Sequence, residues 1–426
     1  MSYLTSSILI TLGSFLLSIL LSNYASEEDF FKFNLYQPLI LGLSHIFLFG
    51  QAAGITTAIF GPKYELTNKS QLLATSLITI LLVFVVVLLL VLVVLPSGNL
   101  VYLQEEYVDL DNVEFILCIF AGLGLALRDF SINYFQITKN HKSLIYYSIL
   151  IVVIVVSTIS LRPSFKSFLF SSSLFFLISI LFFAVKFAGK SKNKFSFSYN
   201  LGRILLKEGW PTIPSVFLLN LILFFQRDLF KSNISLTEFN GFILFLSIAT
   251  ALFKSFFSAY FRKENIEFLE MISAGKLAEV KGISKKLALN ILIIAFSIVI
   301  FNKLFGAIIF SQILDEKISS FVWIISVFVP ITASTLYLNL HGSFVQLDGK
   351  ILKLTLLSLL GPVLVLSFLA IFESMGISLK SLCFIYVSAS FTSNIVFTIY
   401  LSKYIKNNFF MYFVVISLTS LSLAFI

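Results

Sequence analysis

Long apolar stretches recur along the chain, and each is about as long as a helix that crosses a bilayer. A hydrocarbon core about 30 Å thick requires roughly 20 apolar helical residues. Segments of that kind lie at 3–22, 35–60, 71–95, 113–137, 143–161, 166–187, 209–230, 237–261, 286–310, 319–341, 352–372 and 379–402. No polar interval between them could hold a water-soluble domain. The pattern therefore predicts an all-α polytopic membrane protein with at least twelve spans.

A strongly basic segment, residues 186–214, divides these spans into two groups of six. Its single acid is Glu208, and its cations are Lys186, Lys190, Lys192, Lys194, Arg203 and Lys207. Basic loops are retained on the cytoplasmic side of a membrane. We therefore expect an N-terminal six-helix lobe at 1–189, a basic cytoplasmic linker at 190–208 and a C-terminal six-helix lobe at 209–403.

A further apolar run follows Lys403 and Lys406, from residue 408 to residue 426. It has the length of a thirteenth membrane helix. A helix lying along the membrane surface is the alternative. The sequence thus assigns residues 404–426 to either an additional C-terminal span or a surface helix.

Composition agrees with a membrane protein and sets its orientation. Of the 426 residues, 58% are hydrophobic and 12% are charged, and the mean hydropathy is +0.99. Twenty of the 30 Lys and Arg fall in loops on the side of the N-terminus and seven in the opposite loops. We expect a cytoplasmic N-terminus. This distribution accounts for the net charge of +9 without a nucleic-acid partner.

The cysteines and histidines give no sign of a metal site or cofactor. Cys118 and Cys383 each lie within an apolar span, where cysteine commonly packs as a small hydrophobic residue. The three histidines form no cluster with the spacing of metal ligands. We expect neither a disulfide nor a metal, and no cofactor.

The fourth span carries two ionisable residues, Arg128 and Asp129, well inside its apolar stretch. Charged groups at that depth are costly and usually face a bundle interior or a wet cavity. Neighbours on a helix point about 100° apart, so we expect the two not to satisfy each other. Each either lines a transport cavity or pairs with another helix, and Asp129 is a candidate for coupling transport to an ion.

Polar residues in three other spans are further candidates. Gln37, Ser44 and Gln51 repeat every seven residues on the second span, and this face either lines a cavity or packs on a neighbouring helix. On the seventh span Asn220 and Arg227 share one side, although Arg227 is also close enough to the outer interface to reach water. Lys254 on the eighth span faces either a cavity or the cytoplasmic interface.

Four stretches of the chain resemble the polysaccharide flippase family of the multidrug, oligosaccharidyl-lipid and polysaccharide exporter superfamily. They read EGWPTIPSVFLLNLILFFQRDLF, FNGFILFLSIATALFKSFFSAYFRK, LYLNLHGSFVQLDGK and LYQPLILGLSHIFLFGQAAGITTAI. Arg227 matches the arginine of that family's acid–arginine pair, but Gln226 stands where the acid is usual. The chain also lacks the family's usual glycine after the first outer loop.

This resemblance implies two six-helix lobes in a V around a central cationic cavity. The implied activity moves undecaprenyl-diphosphate-linked oligosaccharide repeat units, such as those of O-antigen or capsule, from the inner to the outer leaflet of the bacterial inner membrane. Membrane lipid, a polymerase and other polysaccharide assembly proteins are the expected partners. The substrate-binding candidates are Arg128, Arg227, Lys254, Asn220 and Gln51, because arginine suits a diphosphate and lysine adds a mobile charge.

Two other functions remain open on the sequence. A drug or cation exporter of the same superfamily would favour acids over bases within the spans, whereas here Arg128, Arg227 and Lys254 stand against Asp129 and Asp228. A polysaccharide polymerase would need catalytic groups in an outer loop. The outer loop at 96–112 has acids but neither histidine nor arginine, so we expect a transporter and not an enzyme.

Overall fold

A computed structural model describes residues 2–51, 55, 69–94, 110–138, 140–188, 197–347, 351–372 and 377–403. Its α-helices are α1 (Ser2–Tyr24), α2 (Glu27–Leu48), α3 (Lys69–Val94), α4 (Asn112–Ile137), α5 (His141–Leu161), α6 (Phe165–Ala188), α7 (Tyr199–Gly209), α8 (Ile213–Asn233), α9 (Leu236–Ser273), α10 (Leu277–Phe301), α11 (Ala307–Ile313), α12 (Glu316–Ser319), α13 (Trp323–Leu347), α14 (Ile351–Phe372) and α15 (Leu379–Ser402). A 3₁₀ turn, Trp210–Thr212, precedes α8, and a π-helical turn, Asn302–Gly306, joins α10 to α11.

The fold is all-α and polytopic, as predicted. A helix coincides with each of the twelve spans in the described ranges. Seven helical stretches there are long and apolar enough to cross a membrane, and three shorter apolar helices accompany them. On α3 the side chains of Leu82, Val86 and Leu90 are more than half exposed. Such a surface is stable only against lipid. The predicted thirteenth helix at 408–426 lies outside the described residues.

The second span differs from its predicted bounds at both ends. Helix α2 starts earlier, because the Ser26 hydroxyl accepts the Asp29 amide at 3.0 Å and acidic residues fill its first turn. The helix then ends at Leu48, because Phe49 and Gly50 take the positive φ angles 47° and 67°. Gln51 is helical again, so this span is interrupted and not continuous from 35 to 60.

The second half of the predicted linker at 190–208 is helical. Ser198 caps α7 by accepting the Leu201 amide at 3.3 Å. The Ser198 amide donates to the Thr75 hydroxyl on α3 at 3.1 Å. Leu201 and Leu205 are buried where α7 packs on α3. A short amphipathic helix therefore lies between the two groups of spans.

The eighth and ninth spans extend beyond their predicted bounds on the side expected to be cytoplasmic. Helix α9 has 38 residues and continues through the polar sequence up to Ser273. Helix α10 begins at Leu277, well before residue 286. Both extensions carry charged residues that form helices readily. Hydropathy alone therefore ends the eighth span too early and begins the ninth span too late.

The chain forms two compact units. One contains residues 37–220 and the other contains residues 1–36 together with 221–426. These bounds differ from those of the predicted lobes, since the first 36 residues pack with the second half of the chain. Helix α1 lies against α9, and the Asn34 amide donates to the Asn240 side-chain oxygen at 3.0 Å. Both α2 and α8 contribute residues to each unit.

Small residues allow α4 and α6 to approach closely in the unit formed by residues 37–220. A Cβ atom at Gly124 would collide with the backbone carbonyl oxygen of Ser172. Tyr147 of α5 adds a buried hydrogen bond, with its hydroxyl 2.6 Å from the Ser179 hydroxyl on α6. Without a hydrophobic drive between helices in lipid, close packing and such hydrogen bonds hold the unit together.

We predict that Gly124→Ala lowers the melting temperature of the detergent-solubilised protein. The added methyl group requires α4 and α6 to move apart, at a cost of about 1–3 kcal/mol. Gly282→Ala is the matched control, since a Cβ atom there has no atom within 4 Å. The control should match or exceed the wild-type melting temperature. Equal melting temperatures for both variants would show that the α4–α6 contact is not tight.

A charged cap fixes the start of α4. Asp111 accepts the Glu114 amide at 2.7 Å, and the Glu114 carboxylate accepts the Asp111 amide at 3.2 Å. The Lys166 ammonium of α6 lies 2.6 Å from the Asp111 carboxylate. The hydrogen bond from Lys166, followed by the one from the Glu114 amide, lowers the pKa of Asp111. The cap thus links the first turns of α4 and α6.

The lowered pKa predicts a small loss of stability in acid. The contribution of Asp111 is complete above the pKa of its unfolded form and disappears as the pH falls through the lower pKa of the folded form. Asp111→Asn should therefore melt at a lower temperature than wild type at pH 7. The loss in free energy of unfolding should be about 0.5 kcal/mol, because the pair is half exposed. The difference should begin to shrink as the pH falls below 3.8, the ordinary pKa of this carboxyl, and disappear at still lower pH. Lys166→Gln should reproduce both results, and a difference that did not shrink in acid would contradict the role of this charge.

Candidate functional site

Arg128 and Asp129 form an ion pair within α4. The Asp129 Oδ1 atom accepts the Arg128 Nε at 2.8 Å and lies 2.7 Å from its Nη2. The expectation that these neighbours could not satisfy each other was wrong, because the long arginine side chain reaches around the helix to the adjacent carboxylate. The two side chains are 22% and 30% exposed. Neither charge is completely withdrawn from solvent or lipid headgroups.

The Arg128 guanidinium also lies over the ring of Phe175 on α6, at 5.9 Å from the ring centroid. A cation above an aromatic face is attracted by the ring quadrupole. Because Phe175 is buried, its ring gives the guanidinium a fixed surface to rest on. Arg128 thus has two partners. The Asp129 carboxylate carries the opposite charge, whereas the Phe175 ring is uncharged and does not neutralise the guanidinium.

Gln226 connects three helices in the unit that contains α8. The side chain of Gln226 is fully buried. Its Nε2 donates to the Pro362 carbonyl of α14 at 2.5 Å. Its Oε1 accepts a hydrogen bond from the Tyr386 hydroxyl of α15 at 2.7 Å. An amide can donate and accept at once, whereas an ionised carboxylate can only accept. The glutamine that stands where the resembling family has an acid therefore suits this position, because a carboxylate could not donate to the Pro362 carbonyl.

Arg227 is half-buried and bonded inside the protein. Its Nη1 donates to the backbone carbonyl of Asn34 on α2, and Asn34 in turn bonds Asn240 on α9. Among the described residues Arg227 forms no ion pair with a carboxylate, and the adjacent Asp228 is exposed.

Three further candidates occupy different settings. Asn220 is buried, and its Nδ2 donates to the Val216 carbonyl one turn earlier in α8. Gln51 is fully buried, and neither of its polar atoms has a hydrogen-bond partner among the described residues. Lys254 lies on α9, but its side chain is outside the described part of the chain.

The structure therefore groups the candidates in two sets. Arg128, Asp129, Gln51 and Asn220 belong to the unit formed by residues 37–220, and Arg227 belongs to the other unit. Within the described ranges no cluster of His, Cys, Asp and Glu is arranged to hold a metal ion. Both cysteines are buried and free.

Tyr386 is a polar residue of this site that the sequence reasoning missed. Its hydroxyl bonds Gln226, and its ring lies 5.7–5.9 Å from those of Phe230, Phe242 and Phe328. Four helices, α8, α9, α13 and α15, supply these rings. A tyrosine in a span that is rich in serine and threonine and also contains Tyr400 gives little signal. Only the tertiary contacts show that Tyr386 bonds Gln226.

The two units together contain the helices of a known transporter architecture. No protein-family model matches the chain, and no curated protein is similar to it. Solved structures are similar. A structure of MATE in the straight conformation is 15% identical to this chain, with a TM-score of 0.69. The match covers 95% of this chain and 94% of the MATE chain. The chain has the fold of MATE transporters.

Structures of both transport conformations share this fold. An outward-facing multidrug resistance MATE family transporter of the MOP superfamily has 13% identity and a TM-score of 0.63, with 95% of each chain covered. An inward-facing transporter of the same description has 15% identity and a TM-score of 0.62. The match covers 95% of this chain and 98% of that chain. At such identities the likeness describes the fold, and the MATE fold is one that exists in both states.

The ion pair of α4 predicts opposite outcomes for single and double substitutions. Asp129→Asn leaves Arg128 without its carboxylate in a membrane helix, which should lower stability by about 1–3 kcal/mol. Arg128→Gln combined with Asp129→Asn should recover most of that loss. Thermal melting of Asp129→Asn, of Arg128→Gln and of the double variant measures this coupling. Additive losses would show that the pair contributes no stability and that both charges face water independently.

Proposed function

We propose that this protein is a flippase that moves undecaprenyl-diphosphate-linked oligosaccharide repeat units from the inner to the outer leaflet of a bacterial inner membrane. Transport follows alternating access, with a cytoplasmic N-terminus. A charged diphosphate-sugar head cannot cross hydrocarbon unaided, because its desolvation costs too much, whereas its polyprenyl tail is soluble in lipid. The protein supplies polar contacts to the head alone.

The observation that carries this proposal is Arg227, a half-buried cation of the predicted seventh span. Among the described residues its partner is the backbone carbonyl of Asn34, and it is not paired with a carboxylate there. The neighbouring Gln226 is a neutral amide where an acid is usual in the resembling family. Such a region retains a positive charge, which attracts an anionic head and repels a cationic drug. Bidentate hydrogen bonds from a guanidinium suit a diphosphate.

The other candidates have distinct roles in the proposed cycle. Lys254 adds a second positive charge, and the Asn220 and Gln51 amides offer hydrogen bonds to sugar hydroxyls. Arg128 is neutralised by Asp129 until a proton or metal cation binds that carboxylate. The released guanidinium then binds phosphate, so that ion entry and substrate binding are linked through one pair of side chains.

A multidrug exporter is the second candidate. It is supported by the fold likeness, since the similar structures of both conformations belong to multidrug resistance transporters. A cationic drug would use Asp129 and have no need of Arg227. The two functions therefore predict different consequences for the same arginine.

We predict that Arg227→Gln abolishes export of surface polysaccharide while the protein level stays normal. Losing a charge-assisted hydrogen bond to a diphosphate costs about 1.5–3 kcal/mol, or roughly ten- to a hundredfold in transport. The measurement is the leaflet on which single lipid-linked repeat units accumulate in cells that carry each variant. The flippase proposal expects them on the inner leaflet.

Two controls separate the candidates. Lys317→Gln removes an exposed cation of α12 and should transport normally, and Arg227→Lys should retain part of the activity. Accumulation on the outer leaflet would indicate a polymerase instead. Unchanged polysaccharide together with increased drug sensitivity in a gene deletion would establish the multidrug exporter and reject the flippase.

A further inference from the structure

Helix α7 exposes a regular row of side chains. Tyr199, Arg203, Lys207 and Trp210 follow one another at intervals of four, four and three residues, which places them on one face of a helix. All four are exposed, Tyr199 by 75% and Trp210 by 56%. We call this row the α7 stripe; it has an aromatic residue at each end and two cations in the middle.

The opposite face of α7 is fixed to the protein. Leu201, Gly202 and Leu205 are buried, and the hydrogen bond between the Ser198 amide and Thr75 ties the start of the helix to α3. At its other end Gly209 packs so closely on the backbone of Gly50 that neither could carry a Cβ atom. The stripe is therefore held in a defined position on the surface.

The chemistry of the stripe matches the headgroup layer of a bilayer. Tyrosine and tryptophan concentrate at membrane interfaces, where one end of the ring is apolar and the other is wet. Arginine and lysine there attract the phosphates of anionic lipids. Only the three-residue 3₁₀ turn separates α7 from α8, which carries the predicted seventh span, and this places the stripe within reach of lipid headgroups.

We propose that the α7 stripe is a binding site for anionic phospholipid headgroups, with Arg203 and Lys207 contacting phosphate and Tyr199 and Trp210 lying in the interface. A membrane is favoured over an acidic protein because aromatic residues flank the cations. The basic segment that precedes α7 in the sequence, with Lys190, Lys192 and Lys194, adds charge of the same sign. This site is independent of the transported substrate.

Trp210 provides a local reporter, since the chain contains two tryptophans. The full-length Trp323→Phe variant is reconstituted in vesicles of phosphatidylcholine and phosphatidylglycerol, one of which is brominated. Quenching of Trp210 by each brominated lipid gives their relative affinity at this site. We expect phosphatidylglycerol to be preferred by about fivefold for each of the two cations, and bromine near the headgroup to quench more than bromine at mid-chain.

Two double variants test the cations. Arg203→Gln with Lys207→Gln should remove the preference while leaving the quenching by phosphatidylcholine. Lys285→Gln with Lys286→Gln removes two exposed cations of α10 and should leave the preference at Trp210 unchanged. If Trp323→Phe fails to fold, the difference in fluorescence between wild type and Trp210→Phe isolates the same reporter.

Three outcomes would overturn the proposal. Equal quenching by the two lipids would show that no anionic headgroup binds. Absence of quenching by either lipid would place the stripe in water or against another protein. A preference that survives loss of Arg203 and Lys207 would assign the selectivity to other residues.

Discussion

Hydrogen bonding of polar groups inside hydrocarbon is the constraint on which this structure depends. Lipid offers no water to a buried amide or guanidinium, so each group must find a partner within the protein. Gln226 meets this need by bonding Pro362 and Tyr386 on two other helices, and Arg227 does so through the Asn34 carbonyl. These bonds connect helices that are far apart in sequence, and they make the unit a single body.

The same constraint relates structure to transport. A fully paired residue is structural, whereas one whose partner can be exchanged is available to a substrate or an ion. Arg128 is paired with Asp129, and in our proposal an ion binds that carboxylate and leaves the guanidinium free. Arg227 has a neutral partner and keeps its charge. Our proposed function uses this difference between the two arginines.

The boundary of the membrane imposes a second demand, which α7 meets. A chain that leaves the bilayer after six spans and returns for more must pass through the headgroup layer. Helix α7 buries leucines on α3 and turns aromatic and basic side chains outward. The resulting surface is suited to lipid headgroups.

The sequence by itself determined the class of fold, the positions of the membrane helices and the basic character of the central segment. Apolar runs of bilayer length have one stable conformation in lipid, because only a helix satisfies its backbone hydrogen bonds internally. Helix formation in the polar segments was harder to predict from the sequence. The extensions of α9 and α10 and the whole of α7 depend on caps and on contacts with neighbouring helices.

Only the tertiary structure decided which polar residues meet. Spacing on one helix suggested that Arg128 and Asp129 point apart, yet side-chain length and the ring of Phe175 bring them together. Gln226 looked like a departure from a motif until Pro362 and Tyr386 showed why an amide fits. Sequence records the order of residues along a helix, whereas the partners of a buried polar group come from other helices, and their positions follow from how the helices pack.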